Sequence, residues 1–398
     1  MPIKDIPLFP TALMGSLPRS EEVLRAFRDL RHGRLGRSDF DRLIFQETGK
    51  AVRMQENAGI DIITSGELSR DNYVSFVADK LDGVQMKNMG ELLEYIDDKK
   101  TFEKILVTLD VPSVGIKNAI CVGKLRDRGD IVLNELLLLK KLTSKPVKVT
   151  LPGPYLLTRS MWLPKLSRLA YENKEGLGDD VVAILKAEIT RLQEAGVEVI
   201  QFDEPVLTEV VFTESRPRTF MCAALSEKKD PAEELAFASN LIRRVLDAVD
   251  RNKSVASLHV CRGNWSKDET TLLSGPYTPL LDTFAAVGAD LLALEFSTPR
   301  AGDLPSLLSD RRISGHMALG LGVINPRTDA VESASAIVSR AEEALGWIPK
   351  ERLWLNPDCG FATFGNRPVN TAETIKHKLE ALSGAAETLR GRHFAASS

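Results

Sequence analysis

Four side chains able to bind a metal stand at the ends of apolar runs. "SVASLHVCRG" (254–263) carries His259 and Cys261, "ADLLALEFS" (289–297) carries Glu295, and "RLWLNPDCG" (352–360) carries Cys359. Side chains alternate between the two faces of a β-strand, so His259 and Cys261 share one face and can reach one ion. Glu295 ends the next run, and Cys359 ends the run two further on. One imidazole, two thiolates and a carboxylate form a ligand set that zinc accepts in tetrahedral geometry. The thiolates argue against magnesium or calcium. A lone His-x-Cys reads more readily as a hydrogen-bonded core histidine beside a small buried cysteine. Its coincidence with two further ligand types at matching strand ends favours the metal. The chain has only five histidines and four cysteines in 398 residues, too few cysteines for a disulfide framework. Clustered Cys and His in a reducing compartment point to metal binding or catalysis. Cys121 and Cys222 lack ligand-like neighbours and read as packing residues. His32, His377 and His393 fall on helical or tail segments, and His316 begins an apolar run instead of ending one.

Other polar residues gather at the same kind of place. Gly15-Ser16, Glu67, Gly153-Pro154 and Asp203-Glu204 also end apolar runs. Burying a polar group without a partner costs about 1–3 kcal/mol, so a ring of such groups marks a site.

The elements that must position these residues are eight short apolar runs, at 11–16, 59–68, 146–154, 197–205, 254–263, 289–297, 316–324 and 352–360. Helical patterns at 178–196, 230–250 and 329–346 lie between them. The second of these patterns has Asp230 as its N-cap and Pro231 at its first helical position. This alternation predicts an α/β fold, a (β/α)8 TIM-type barrel, with residues 1–398 as a single barrel domain and the site at the C-terminal ends of the strands. A doubly wound sheet is the alternative, but no G-x-G-x-x-G follows any of these runs. Residues 80–145 exceed one crossover. They read as an insertion after strand two, with a helical piece, the β-like runs "KILVTLDVPSV" and "NAICVGKLRD", and another helix.

The formal net charge is −3. No basic stripe suggests nucleic acid, and no apolar stretch of about 18 residues suggests a membrane span. The N-terminal residues show neither a signal-peptide core nor a transit pattern, so the expected location is the cytoplasm.

"HVC", "LEF" and "NPDCG", in this order, resemble the zinc-binding catalytic barrel of cobalamin-independent methionine synthase. "GSLPR", "SGEL", "GPY" and "QFDEP" match further motifs of that barrel, and the resemblance covers about residues 10–390. It implies that His259, Cys261, Glu295 and Cys359 are zinc ligands. It implies that Gly15 and Ser16 hold the carboxylate of homocysteine and that Glu67 and Asp203 hold its ammonium group. Glu209 falls where the family has an acid near the pterin of the folate donor. The sequence resembles the short branch that consists of the catalytic barrel alone. It departs from the family at two points. Ser160 stands where a tryptophan is expected, with Trp162 two residues on, and Arg327 stands where a proton-relay histidine is expected.

The chemistry implied is methyl transfer to the thiol of homocysteine, giving methionine. The donor is a methyltetrahydrofolate or a methylcorrinoid, the latter with a corrinoid protein as partner. Glu295 is the ligand most easily displaced by an incoming thiol, and Asp203 acts beside it. Arginine cannot serve as a general acid, but Arg327 can hold a phosphate or carboxylate of the donor. Two other readings compete: alkyl transfer between another thiol and an epoxide or methyl ether, and a structural zinc site without catalysis.

Overall fold

The computed structural model describes residues 6–72, 74–95, 117–212, 230–264, 268–362 and 369–394. Six parallel strands follow one another in sequence order: Lys148–Pro152, Val199–Asp203, Val255–Val260, Leu291–Glu295, Ala318–Ile324 and Leu353–Pro357. Two shorter segments complete the ring through single parallel bridges. Thr11 pairs with Leu355, Ala12 with Ile62, and Ile63 with Val147. Backbone hydrogen bonds from Ala12 N to Leu355 O, Ile62 N to Thr11 O and Lys148 N to Ile63 O carry the ladder across this gap. The expected (β/α)8 barrel is therefore present, with its first two strands reduced to residues 11–12 and 62–63. Apolar runs measure burial, and here the burial extends well beyond the ladder.

The expected cap is present: Asp230 accepts from the backbone N–H of Ala232 and Glu233 to start helix Pro231–Leu246. The helix expected from 178 starts earlier, as Lys174–Glu194, with Asn173 as its cap. Among the described residues no helix is long and apolar enough to cross a membrane.

Side chains inside the barrel form layers, as period-two alternation requires. The floor is one apolar cluster of Ala12, Ile62, Val199, Val255, Leu291, Ala318 and Trp354, one residue from each of seven strands. The third strand places Lys148 at the register position of Val199.

The insertion differs from the expectation in its pairing. Lys117–Asp127 is a strand, as "NAICVGKLRD" suggested, but its antiparallel partner is Leu81–Asn88. Gly83 makes the bulge in that pair possible: it sits at φ 82°, and a Cβ there would lie 2.4 Å from Lys124 O. The other β-like run, "KILVTLDVPSV", lies outside the described residues, as does Cys222. Cys121 is buried in the main core, as expected.

Candidate functional site

Asp203 and Glu295 are the last residues of their strands, His259 is the penultimate residue of its strand, and Cys261 and Cys359 follow their strands closely. His259, Cys261 and Cys359 bring their ligand atoms within 4.8 Å of one another, and all three are buried. Asp203 Oδ1 lies 2.8 Å from His259 Nδ1. Burial pulls the imidazole pKa down, but the bond to Asp203 and the negative charge of Cys261, Asp203 and Glu295 outweigh it, raising the pKa to about 9. The two thiols are shifted in opposite directions. A hydrogen bond from Cys359 lowers the Cys261 pKa, while the same bond and burial push Cys359 well up.

Glu295 does not join this group. It is fully buried, and both of its oxygens are engaged elsewhere. Oε1 accepts from Arg327 Nη1 at 3.0 Å. Oε2 accepts from the Arg262 backbone N–H at 3.1 Å and from Arg300 Nη2 at 3.4 Å. Burial would raise its pKa, but Arg327, Arg300 and Arg262 outweigh burial and keep it low. Of the four expected ligands, His259, Cys261 and Cys359 lie together, and the Glu295 carboxylate is turned to Arg327, Arg300 and Arg262.

Arg327 is likewise committed inside the protein. Its guanidinium joins Glu295 to Asp358, with a 2.8 Å bond from Nη2 to Asp358 Oδ2. This arginine, expected to hold an anionic group of the donor, is paired here with two buried carboxylates. Asp358 also accepts from the backbone N–H of Phe296 and Ser297, which ties the eighth strand end to the sixth.

The residues expected around the substrate do converge. Glu67 Oε1 accepts from Thr150 Oγ1 at 2.6 Å and sits 3.5 Å from Arg70 Nη1. Burial raises the Glu67 pKa, with Asp203 adding to the rise. Glu67 has φ 57°, rare for a residue with a side chain. Arg19 fixes that turn by donating to the carbonyls of Glu67 and Arg70. Gly15 lies directly against the carboxylate: a Cβ on it would fall 2.2 Å from Glu67 Oε1. Gly15 thus makes room for Glu67, a role its sequence position did not suggest. Ser16 Oγ accepts from Ala362 N at 3.3 Å and Ser16 O from Phe361 N at 2.9 Å, which fastens it to the turn carrying Cys359. Among the described residues Glu67 Oε2 and Asp203 Oδ2 accept no hydrogen bond.

Glu209 pairs with Arg159 at 2.7 Å, and Arg159 also approaches the Tyr155 hydroxyl. Glu204 caps helix Pro154–Met161 from outside, accepting from Tyr155 N and Leu156 N at 2.8 and 2.9 Å. Ser160 is buried, with its hydroxyl on Leu157 O, and Trp162 is buried beside it.

Sequence reasoning passed over Lys148 and Gln201. Lys148 Nζ donates to Gln201 Oε1 at 2.8 Å, and Gln201 Nε2 donates to Asp203 Oδ1 at 2.8 Å. Burial lowers the Lys148 pKa to about 7, with Asp203 and Glu67 pulling it back up. A lysine inside the apolar run "PVKVTLP" was the available signal.

A family model described as the catalytic domain of cobalamin-independent synthase matches residues 9–383. Among curated relatives, a 5-methyltetrahydropteroyltriglutamate–homocysteine methyltransferase of Bacillus licheniformis is 26% identical over 376 residues, covering 94% of this chain and 42% of that protein. The protein of the same name from Thermotoga maritima is 26% identical, covering 90% of this chain and 42% of its own length. The chain thus spans less than half the length of these relatives. Among solved structures, a B12-independent methionine synthase from Shewanella sp. W3-18-1, in complex with selenomethionine, aligns with TM-score 0.72 at 22% identity, covering 98% of this chain and 99% of that one. A putative vitamin-B12 independent methionine synthase from Listeria monocytogenes aligns with TM-score 0.68 at 20% identity, covering 97% and 99%. At these identities the structural likeness supports the barrel fold.

Proposed function

The chain belongs to the cobalamin-independent synthase catalytic-domain family, and from that premise we propose that it transfers a methyl group to the thiol of homocysteine, giving methionine, with zinc as its metal. The observation that carries this reading is the buried His259–Cys261–Cys359 cluster backed by Asp203. One imidazole and two thiols suit zinc, and three protein donors leave a position for substrate, the pattern of catalytic sites. Bound there, zinc would keep a substrate thiol as its nucleophilic thiolate at neutral pH.

The chain's own residues do the rest. Asp203 orients the His259 ring, the usual support of a metal-bound histidine. Glu67 Oε2 and Asp203 Oδ2 are open to a substrate ammonium. The Ser16 hydroxyl accepts from Ala362 N, which leaves its own proton for a substrate carboxylate. Glu295 is the exchangeable fourth ligand in this reading. Arg327 and Arg300 hold its carboxylate away from the thiols and would receive it when substrate takes its place.

The donor is a methyltetrahydrofolate or a methylcorrinoid. Arg327, ion-paired to two carboxylates, cannot deliver the proton that a tetrahydrofolate leaving group needs. That favours the corrinoid, whose departure needs no proton. Zinc-loaded protein is given homocysteine with each donor in parallel, and methionine is measured. Methionine from either donor supports the reading. If neither donor gives methionine, and the spectrum of cobalt-substituted protein changes neither with homocysteine nor with a panel of other thiols, the site is a closed structural one.

A further inference from the structure

The barrel floor is apolar except at one position. Seven strands give it an apolar side chain, and the third gives Lys148, which is 4% exposed. An ammonium in such a layer is a liability for folding, because burial disfavours its charged form. A methionine would fill the same space without that penalty. The lysine therefore needs a reason outside packing, and its contacts supply one.

Protonated Lys148 carries donors only. The Gln201 atom it meets at 2.8 Å must then be the carbonyl oxygen. That fixes the amide: the Gln201 NH2 group faces Met14 O at 2.9 Å and Asp203 Oδ1 at 2.8 Å, both acceptors. Every contact of the amide agrees with one orientation, and Lys148 in its protonated form excludes the flipped one. With an N–H aimed at it from Gln201, Asp203 is held in place to accept from His259 Nδ1 as well. A proton on Nδ1 makes Nε2, which lies 3.3 Å from Asp358 O in this structure, the nitrogen left to bind a metal. Strand register makes this line of contacts direct. Lys148 is paired with Val199, two residues before Gln201, and Asp203 is paired with His259.

We propose that Lys148 is a positioning residue for the metal ligand His259, acting through Gln201 and Asp203 from the floor of the barrel. This rests on the reading of His259, Cys261 and Cys359 as a zinc site. The line runs through side chains of three adjacent strands, so metal affinity at the rim depends on a residue two layers below.

The test is zinc affinity, measured by competition with a chromophoric chelator, for wild type, Lys148→Met, Gln201→Leu and the double variant. Thermal melting is recorded on the metal-free proteins. Loss of an outer partner of a metal ligand weakens metal binding about 10- to 100-fold. Each single variant should weaken zinc about tenfold, and the double variant should be no weaker than either single. Lys148→Met should melt no lower than wild type. In zinc-loaded protein the His259 Nδ1 proton, followed by nitrogen-15 NMR, should exchange faster in both single variants. Zinc affinity within twofold of wild type in Lys148→Met overturns the proposal, as do additive losses in the double variant. If Lys148→Met does not fold, Gln201→Leu decides alone, because unchanged affinity there removes the link. A wild-type protein that binds no zinc overturns the metal reading itself and is distinguishable from all of these.

Discussion

Gly15→Ala isolates the contribution of Glu67 to substrate recognition without touching a charged residue. The added Cβ would fall 2.2 Å from Glu67 Oε1 and 3.1 Å from Thr150 Cγ2. Ordinary carbon–oxygen contact requires the carboxylate to retreat by about 1 Å or more. The backbone of Glu67 cannot follow, because Arg19 holds the carbonyls of Glu67 and Arg70. The side chain must rotate instead, which breaks its 2.6 Å bond from Thr150 Oγ1. If that carboxylate receives a substrate ammonium, the variant loses one charge-assisted hydrogen bond, worth about 1.5–3 kcal/mol, or roughly ten- to a hundredfold in affinity. Overpacking should also lower stability by about 1–3 kcal/mol, so thermal melting is measured alongside. The assay is calorimetric titration of zinc-loaded protein with homocysteine and with its analogue lacking the amine. Wild type should prefer homocysteine, and Gly15→Ala should lose that preference while keeping its zinc. A folded Gly15→Ala protein that retains the full preference would refute the assignment of Glu67.

Cys261→Ser and Cys359→Ser should each yield folded protein without zinc, and full zinc by metal analysis in both would remove the metal site. Asp203→Asn should weaken both zinc and amino-thiol binding, by chelator competition and calorimetry; a loss of amino-thiol binding alone would mean that Asp203 does not serve His259. Arg327→Met leaves Glu295 and Asp358 without their shared partner, so unfolding in urea should show a loss of about 3–5 kcal/mol, and wild-type stability would show the nest to be dispensable. Lys148 has its pKa lowered to about 7, so between pH 7 and 10 the unfolded chain binds the extra proton and this group's contribution to stability rises with pH. The stability of wild type relative to Lys148→Met should climb by up to about 1.4 kcal/mol per pH unit over that window, and a flat difference would place the ammonium in contact with water.

The positions that sequence reasoning found are those where chemistry and periodicity coincide. His259, Cys261 and Cys359 were legible because a strand's alternation places rare ligand types at one end of the barrel, and the cluster forms there. The barrel was legible from the same runs, although its first two strands are only residues 11–12 and 62–63. The partner of Lys117–Asp127 was missed because Leu81–Asn88 is mostly half-exposed and shows no clean alternation.

What stayed hidden depends on loops meeting in space. Arg262, Arg300 and Arg327 follow three different strands, and no spacing in the chain announces that they converge on Glu295. Their convergence changes what Glu295 can do. A carboxylate with free oxygens would bind a metal ion and stay bound. In the proposed reaction, one already neutralised by guanidinium groups would give up those partners to reach a metal and regain them on leaving, so the two positions would lie closer in free energy than the charge alone suggests. Arg327, which stands where a proton relay was expected, would take part in that balance without moving a proton. The same residue that argues against a leaving group in need of an acid also argues for a ligand that exchanges easily, and both fit transfer from an activated methyl donor to an incoming thiol.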